Sequence, residues 1–324
     1  MKTRRIFALL LALVLVFALA ACNKSTTDPA TSPSPTAPAD TSPSPDETPA
    51  SAYPLTITDQ TGRTVTIDEP VTRAIVLTAA DAEIVYALGA GDLVVGRGAY
   101  CDWPVEIFDV TAVNSGSETN LEQIIALNPQ VVFCGTMDQS LEQIQQLEEA
   151  GIKAVVSTAT NIAETYESIE IIGKVLDKTA EATAIIDGMK AAFAQIAENK
   201  VGEGKTVYFE VSALPYLWTS GKGSFVDEIA DMLGLTNIFN DTTGAWVEIS
   251  EEQVLDRNPD YIISLDIYSY ADGPVEEILS RAAWQNVTAV KNGAIILVGN
   301  NELIRPAPRL AEGARILADF VATH

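Results

Sequence analysis

Apolar and polar positions alternate with two different periods along residues 53–324. Leu55–Ile67 (LTITDQTGRTVTI) alternates around a Thr-Gly pair, which predicts a β-hairpin. Short β-branched or apolar runs then predict strands at Ala74–Thr78, Leu93–Gly96, Val131–Cys134 and Ala154–Ser157. A second set falls at Thr206–Val211, Tyr261–Leu265 and Ala294–Val298. The runs between them have helical periodicity, so the pattern predicts parallel sheets covered by helices, with ligands favoured at the carboxyl ends of strands. In Thr179–Lys200, Ala182, Ile185, Ile186, Met189, Phe193 and Ile196 recur at spacings of three and four, giving one amphipathic helix of about 33 Å. Such a helix either packs within one lobe or braces two. A brace implies a small opening angle, because no loop residues absorb large dihedral changes. Leu310, Ala314, Leu317 and Val321 form the stripe of a final helix, with Pro308 suited to its first turn.

One segment occurs twice. Leu121–Phe133 (LEQIIALNPQVVF) returns 130 residues later as Glu251–Ile263 (EEQVLDRNPDYII), placing Glu122 on Glu252, Gln123 on Gln253, Asn128 on Asn258 and Pro129 on Pro259. Ala82–Gly89 (AEIVYALG) parallels Asp227–Gly234 (DEIADMLG) in the same order, with Glu83 on Glu228. Two ordered matches predict one architectural unit used twice, and the cleft between two similar lobes is a natural ligand site.

The amino terminus carries an address. Lys2, Arg4 and Arg5 precede an apolar run from Ile6 to Ala21, too short for the roughly 20 residues of a spanning helix. These are the parts of a secretory signal peptide. The run ends Leu19-Ala20-Ala21-Cys22, which resembles the lipobox of bacterial lipoproteins and implies a lipid on Cys22. Asn23 to Ala52 is mostly Ser, Thr, Pro, Ala and Asp with seven prolines, the composition of an extended tether reaching up to roughly 90 Å at ~3.1 Å per residue. The expected domains are a leader at 1–21, an anchored linker at 22–52, an N-terminal lobe at 53–160, a helical segment with the bridging helix at 161–202, and a C-terminal lobe at 203–324.

Charge and residue inventory exclude several functions. Without the leader, 17 Lys and Arg stand against 44 Asp and Glu, a balance that repels nucleic acid and anionic lipid. The single histidine is the last residue, His324, which removes His-dependent triads and His-built metal sites, including those of a bare zinc or manganese receptor. A surface-anchored hydrolase, the rival from another class, lacks an evident catalytic base. Ser220-Gly-Lys-Gly-Ser224 lacks the spacing of a phosphate loop; Ser224 and Asp227 instead predict a capping box opening a helix at Phe225–Leu233. No catalytic residue, cofactor or metal ligand is assigned. Cys101 and Cys134 leave a disulfide open.

Asn120 with Gln123, and Ser250 with Gln253, read as helix caps, which puts Glu122 and Glu252 at the second helical position. Both glutamates suit the helix dipole there; equally, one exposed carboxylate per lobe suits two basic sockets on a partner. Aromatics gather near predicted strand ends: Tyr100, Trp103, Tyr216, Trp218, Trp246, Tyr268 and Tyr270. They serve either as core or as the lining of a cleft. Arg305 and Arg309 read as surface residues or as contacts to an anionic or carbonyl-rich ligand.

From about Leu55 onward the chain resembles the iron-chelate and cobalamin solute-binding proteins of ABC importers. The carrying motifs are TDQTGRTVTI with RAIVL, GRGAYCDWP, NLEQIIALNPQVV, WTSGKGSFVDEIADMLGLTNIF, the W-x-x-x-S-x-E-Q-V-L run from Trp246, and RPAPRL. The resemblance implies an α/β protein of two similar, mainly parallel lobes joined by one long helix, as in periplasmic binding proteins with a helical backbone. It implies an extracytoplasmic, lipid-anchored monomer that delivers an iron-siderophore or cobalamin-type chelate to a permease and its ATPase subunits. Glu122 and Glu252 match permease-docking positions, and Tyr100 and Trp246 match cleft aromatics. Trp103, Tyr268 and Arg305 complete the expected ligand-binding set, with Arg97 as a second cleft arginine. Gly116, Gly135 and Val211 replace other aromatics of the cobalamin pattern. A haem-binding member would need an axial ligand such as Met137.

Overall fold

The computed structural model describes residues 53–116, 119–136, 141–265, 273–299 and 301–324; Cys22, its leader and its tether lie outside them. β1 (Leu55–Thr58) and β2 (Thr64–Ile67) form the expected antiparallel hairpin, Leu55 opposite Ile67. Asp59 closes its turn by accepting from the amides of Thr61 and Arg63, each at 3.0 Å.

The first sheet holds β3 (Ala74–Val76), β4 (Val94–Gly98), β5 (Ala112–Val113), β6 (Val131–Cys134) and β7 (Lys153–Val156), all parallel, in the order β5-β4-β3-β6-β7. Its crossovers contain α1 (Ala79–Ala87), α2 (Leu121–Ala126) and α3 (Leu141–Glu149). The chain then runs through α4 (Ile162–Val175) and α5 (Thr179–Asn199). Asn161 opens α4 by accepting from the Glu164 amide at 2.8 Å.

The second sheet holds β8 (Thr206–Ser212), β9 (Trp218–Ser220), β10 (Thr236–Asn237), β11 (Trp246–Glu248), β12 (Tyr261–Ser264) and β13 (Ile295–Leu297), ordered β11-β9-β8-β12-β13 with β10 beside the start of β8. Among these elements lie α6 (Phe225–Met232), α7 (Glu251–Arg257), α8 (Pro274–Ser280) and α9 (Thr288–Asn292), and α10 (Leu310–Thr323) closes the chain. The parallel set β10-β8-β12-β13 repeats β4-β3-β6-β7, whereas β9 pairs antiparallel with both β8 and β11.

Alternation along the strands explains the layers. Val76, Val131, Phe133, Val207, Phe209 and Ile263 point into one continuous core shared by both sheets with α5 and α10. Ile75, Val132 and Cys134 face a separate core of the first sheet, and Tyr208, Ile262 and Ile295 face one of the second. Strands buried on both faces read as unbroken apolar runs, as these do. Ala182, Met189, Phe193 and Ile196 are the buried stripe of α5, while Ile185 and Ile186 are half-buried. Among the described residues no helix is long and apolar enough to cross a membrane.

Three local expectations need correction. The last helix starts at Leu310 with Arg309 as its cap, so Pro308 precedes the first turn. Ser224 does cap α6, accepting from the Asp227 amide at 3.0 Å, but the Asp227 carboxylate bonds the Gly223 amide, so the box is half formed. Asn120 caps α2 in the same way, yet the Gln123 side chain accepts from the Asn114 amide and leaves that box half formed too.

Candidate ligand and docking sites

The duplicated segment is duplicated in three dimensions. Glu122 and Glu252 both occupy the second position of a short helix, and both are exposed. Each helix leads to an asparagine in the left-handed region, Asn128 at φ 47° and Asn258 at φ 45°, then to buried Pro129 or Pro259 and a buried strand. Asparagine tolerates that conformation better than most residues. The second match holds as well: α1 and α6 are capped by Leu88 and Leu233, followed by Gly89 at φ 69° and Gly234 at φ 77°.

Aromatic side chains stand exposed after strands of both sheets. Tyr100 and Trp103 lie in the segment that follows β4, and Tyr100 is 72% exposed. Tyr216 and Trp218 lie in the turn after β8 and at the start of β9, with Tyr216 also 72% exposed. Trp246 begins β11 opposite Ser220, half-buried, with its ring 5.3 Å from that of Phe225 in an edge arrangement. Trp218 sits opposite Glu248 on the same small antiparallel ribbon. Tyr268, Tyr270 and Met137 lie outside the described residues.

Arg305 occupies a different setting from that of a cleft cation. It is 9% exposed, and its guanidinium grips Asp102 with two bonds, 2.6 and 3.1 Å, and Glu83 with a third at 3.0 Å. Arg309 takes the other side of Glu83, with Nε at 3.0 Å from Oε2, and lies 4.2 Å over the Trp103 ring. Burial opposes the Arg305 charge, but the bonds to Asp102 and Glu83 outweigh it and raise its pKa. The structure thus brings Trp103 and Arg305 together through Asp102 and Arg309, and ties the segment after β13 to the one after β4. Arg97 is turned under the same segment, donating to the carbonyls of Gly98 and Cys101 and stacking 5.1 Å from Phe108.

Two residues here escaped sequence reasoning. Asp102 is adjacent to Trp103, but its arginine is 203 residues away. Asp81 is fully buried; one carboxylate oxygen accepts from Ser157 Oγ and the other has no hydrogen-bond partner. Burial pushes its carboxyl up to about 6 despite the bonds from Ser157 and Thr78. Cys101 and Cys134 are both free thiols, each pushed up to about 12 by burial, which answers the disulfide question. Among the described residues no group of three or more His, Cys, Asp or Glu could hold a metal ion.

Two sheets that share a four-stranded parallel set, linked by helices and carrying exposed aromatics beside strands of each, have the architecture of the two-lobed solute-binding class. A model described as periplasmic binding protein matches residues 75–302, and the chain belongs to that family. It is similar to an uncharacterised ABC transporter substrate-binding lipoprotein, YvrC, of Bacillus subtilis, 32% identical over 88% of this chain and 90% of that one. A vitamin B12-binding protein of Salmonella choleraesuis is 27% identical over 77% of this chain and 90% of its own length. Among solved structures, a possible iron-binding periplasmic solute-binding protein from Staphylococcus epidermidis superposes with a TM-score of 0.65 at 29% identity, covering 78% of this chain and 99% of the other. Members of the family are solute-binding proteins.

Proposed function

We propose that this protein is the lipid-anchored receptor of an ABC importer and that it captures a large metal chelate of the ferric siderophore or corrinoid kind. The observation that carries this reading is the display of aromatics beside strands of both sheets, exposed Tyr100 and Trp103 on one side and exposed Tyr216 and Trp218 with half-buried Trp246 on the other. Aromatic faces supply large apolar contact at little entropic cost, as a bulky planar or caged chelate requires. The named relatives, a substrate-binding lipoprotein and a vitamin B12-binding protein, support the same reading.

In this account Tyr100, Trp103, Trp246 and Tyr268 touch the chelate. Arg305 holds its wall from behind. Cargo binding involves no chemistry here, and ATP is consumed by the importer's other subunits. Glu122 and Glu252 present one carboxylate from each lobe to basic sockets of the permease, and Cys22 carries the lipid. The helical run 161–202 joins the lobes at 53–160 and 203–324 as a brace, so closure on the ligand is small. The receptor works as a monomer outside the cytoplasmic membrane.

A tryptophan-fluorescence titration with cobalamin, ferric hydroxamates and haem tests the reading. One of these chelates should quench saturably, and Trp246→Ala or Tyr100→Ala should weaken its binding about tenfold, the usual effect of losing an aromatic anchor. If no chelate produces a saturable change, the receptor assignment is wrong.

A further inference from the structure

The carboxyl ends of the parallel strands lead into segments with very few cations. The described stretches 99–111, 114–116, 119–120, 135–136, 157–161, 213–217 and 238–245 contain no lysine or arginine, but they do contain Asp102, Glu106, Asp109 and Asp241. Basic residues lie instead at the amino ends: Arg73 precedes β3, Lys153 begins β7, Lys205 precedes β8 and Arg257 precedes β12. The exception is the segment after β13, which carries Arg305 and Arg309.

Those two arginines are neutralised in place. Glu83 bonds both, Asp102 takes Arg305 in a two-pronged pair, and Glu302 lies 3.7 Å from Arg309. Two guanidinium groups therefore face three carboxylates in one cluster. Asp102 stands between Tyr100 and Trp103 in sequence, so the cluster backs the proposed aromatic wall. Arg97 is the remaining cation of this wall; its Nη1 donates to the Gly98 and Cys101 carbonyls while Phe108 covers its face. Lys222 follows β9 and acts on Asp231.

We infer that Glu83 and Asp102 are specificity-determining residues that cancel the charge of Arg305 and Arg309, so that the site takes uncharged or cationic chelates and turns away polyanionic ones. The inference rests on the receptor reading above. An acidic mouth concentrates cations and repels anions over several ångströms, and like-charge juxtaposition is a common means of rejecting wrong partners.

The test is a fluorescence titration of the full chain with three ferric chelates: an uncharged cyclic trihydroxamate, a cationic linear trihydroxamate and a triply anionic tris-catecholate. The uncharged or the cationic chelate should bind at least tenfold tighter than the trianion. Asp102→Asn, at a partly exposed side chain, should tighten the trianion at least threefold and leave the uncharged chelate within twofold. Glu83→Gln should shift the ratio in the same direction; circular dichroism checks that both variants fold. Equal or tighter binding of the trianion by the unaltered chain overturns the charge assignment and leaves the receptor reading intact. An unmoved ratio in folded Asp102→Asn overturns the roles of these residues. Failure of these three chelates and of cobalamin and haem to bind overturns the receptor reading itself.

Discussion

The two lobes are built on one plan and spend their polar residues differently. Where backbone geometry sets the requirement, the copies agree: a capped helix start, a glutamate at the second position, a left-handed asparagine and a buried proline before the strand. Inside the sheets they diverge. Ala74 pairs with Val131 as Val207 pairs with Tyr261, so buried Leu77 of the first lobe corresponds to buried Glu210 of the second. Glu210 is answered by Arg281, whose Nη1 and Nη2 lie 2.7 and 2.9 Å from its oxygens, with Glu277 completing the cluster. Asp81 and Asp227 both sit at the third position of their helices, yet both oxygens of Asp227 accept bonds, from Gly223 and Asn237, whereas Asp81 leaves one bare. The shared features are those that chain geometry demands. The divergent ones are those that a partner elsewhere in the fold can satisfy.

The sharpest way to break the comparison is at Glu210. Glu210→Gln strips a buried cation of its main partner and should cost about 3–5 kcal/mol in urea unfolding, whereas converting both Glu210 and Arg281 to leucine, the residue the first lobe has in place of Glu210, should recover most of that loss. A double variant as weak as the single one would contradict the equivalence. Next in size is the aspartate pair. Because burial raises the Asp81 pKa to about 6, its contribution is fully present below pH ~4 and is lost as pH rises through 6. The ionised group then costs about 3 kcal/mol, at 1.36 kcal/mol per unit. Asp81→Asn should therefore stabilise the protein at pH 7.5 relative to pH 4.5, measured against the parent. Asp227→Asn should destabilise it by about 1–3 kcal/mol, because an amide cannot accept both existing bonds. The caps give the smallest effects. Ser250→Ala removes one arm of a complete capping box and should cost about 1–2 kcal/mol, against about 1 kcal/mol for Asn120→Ala, both read by thermal unfolding.

Much of the fold was legible because it is local. The hairpin at 55–67, the strands β3, β4, β6, β7, β8, β12 and β13 and the helix at 179–199 follow from periodicity and apolar runs. β5, β9, β10 and β11 are two or three residues long and show no period to read. The start of α4 was readable in principle, since Asn161 and Glu164 form a capping signature. Glu122 and Glu252 stand where spacing put them. Arg305 does not behave as an isolated side chain because Glu83 and Asp102 are 222 and 203 residues away, and no local pattern announces such partners.

The central claim is that the doubled unit offers the importer two equivalent carboxylates. Chelate uptake through the cognate permease, measured for Glu122→Ala, Glu252→Ala and the double variant at matched surface levels, tests it most directly. Each single variant should lower uptake severalfold and the pair at least tenfold, with chelate affinity in solution unchanged within twofold. Uptake by the double variant at the parent rate would contradict the account.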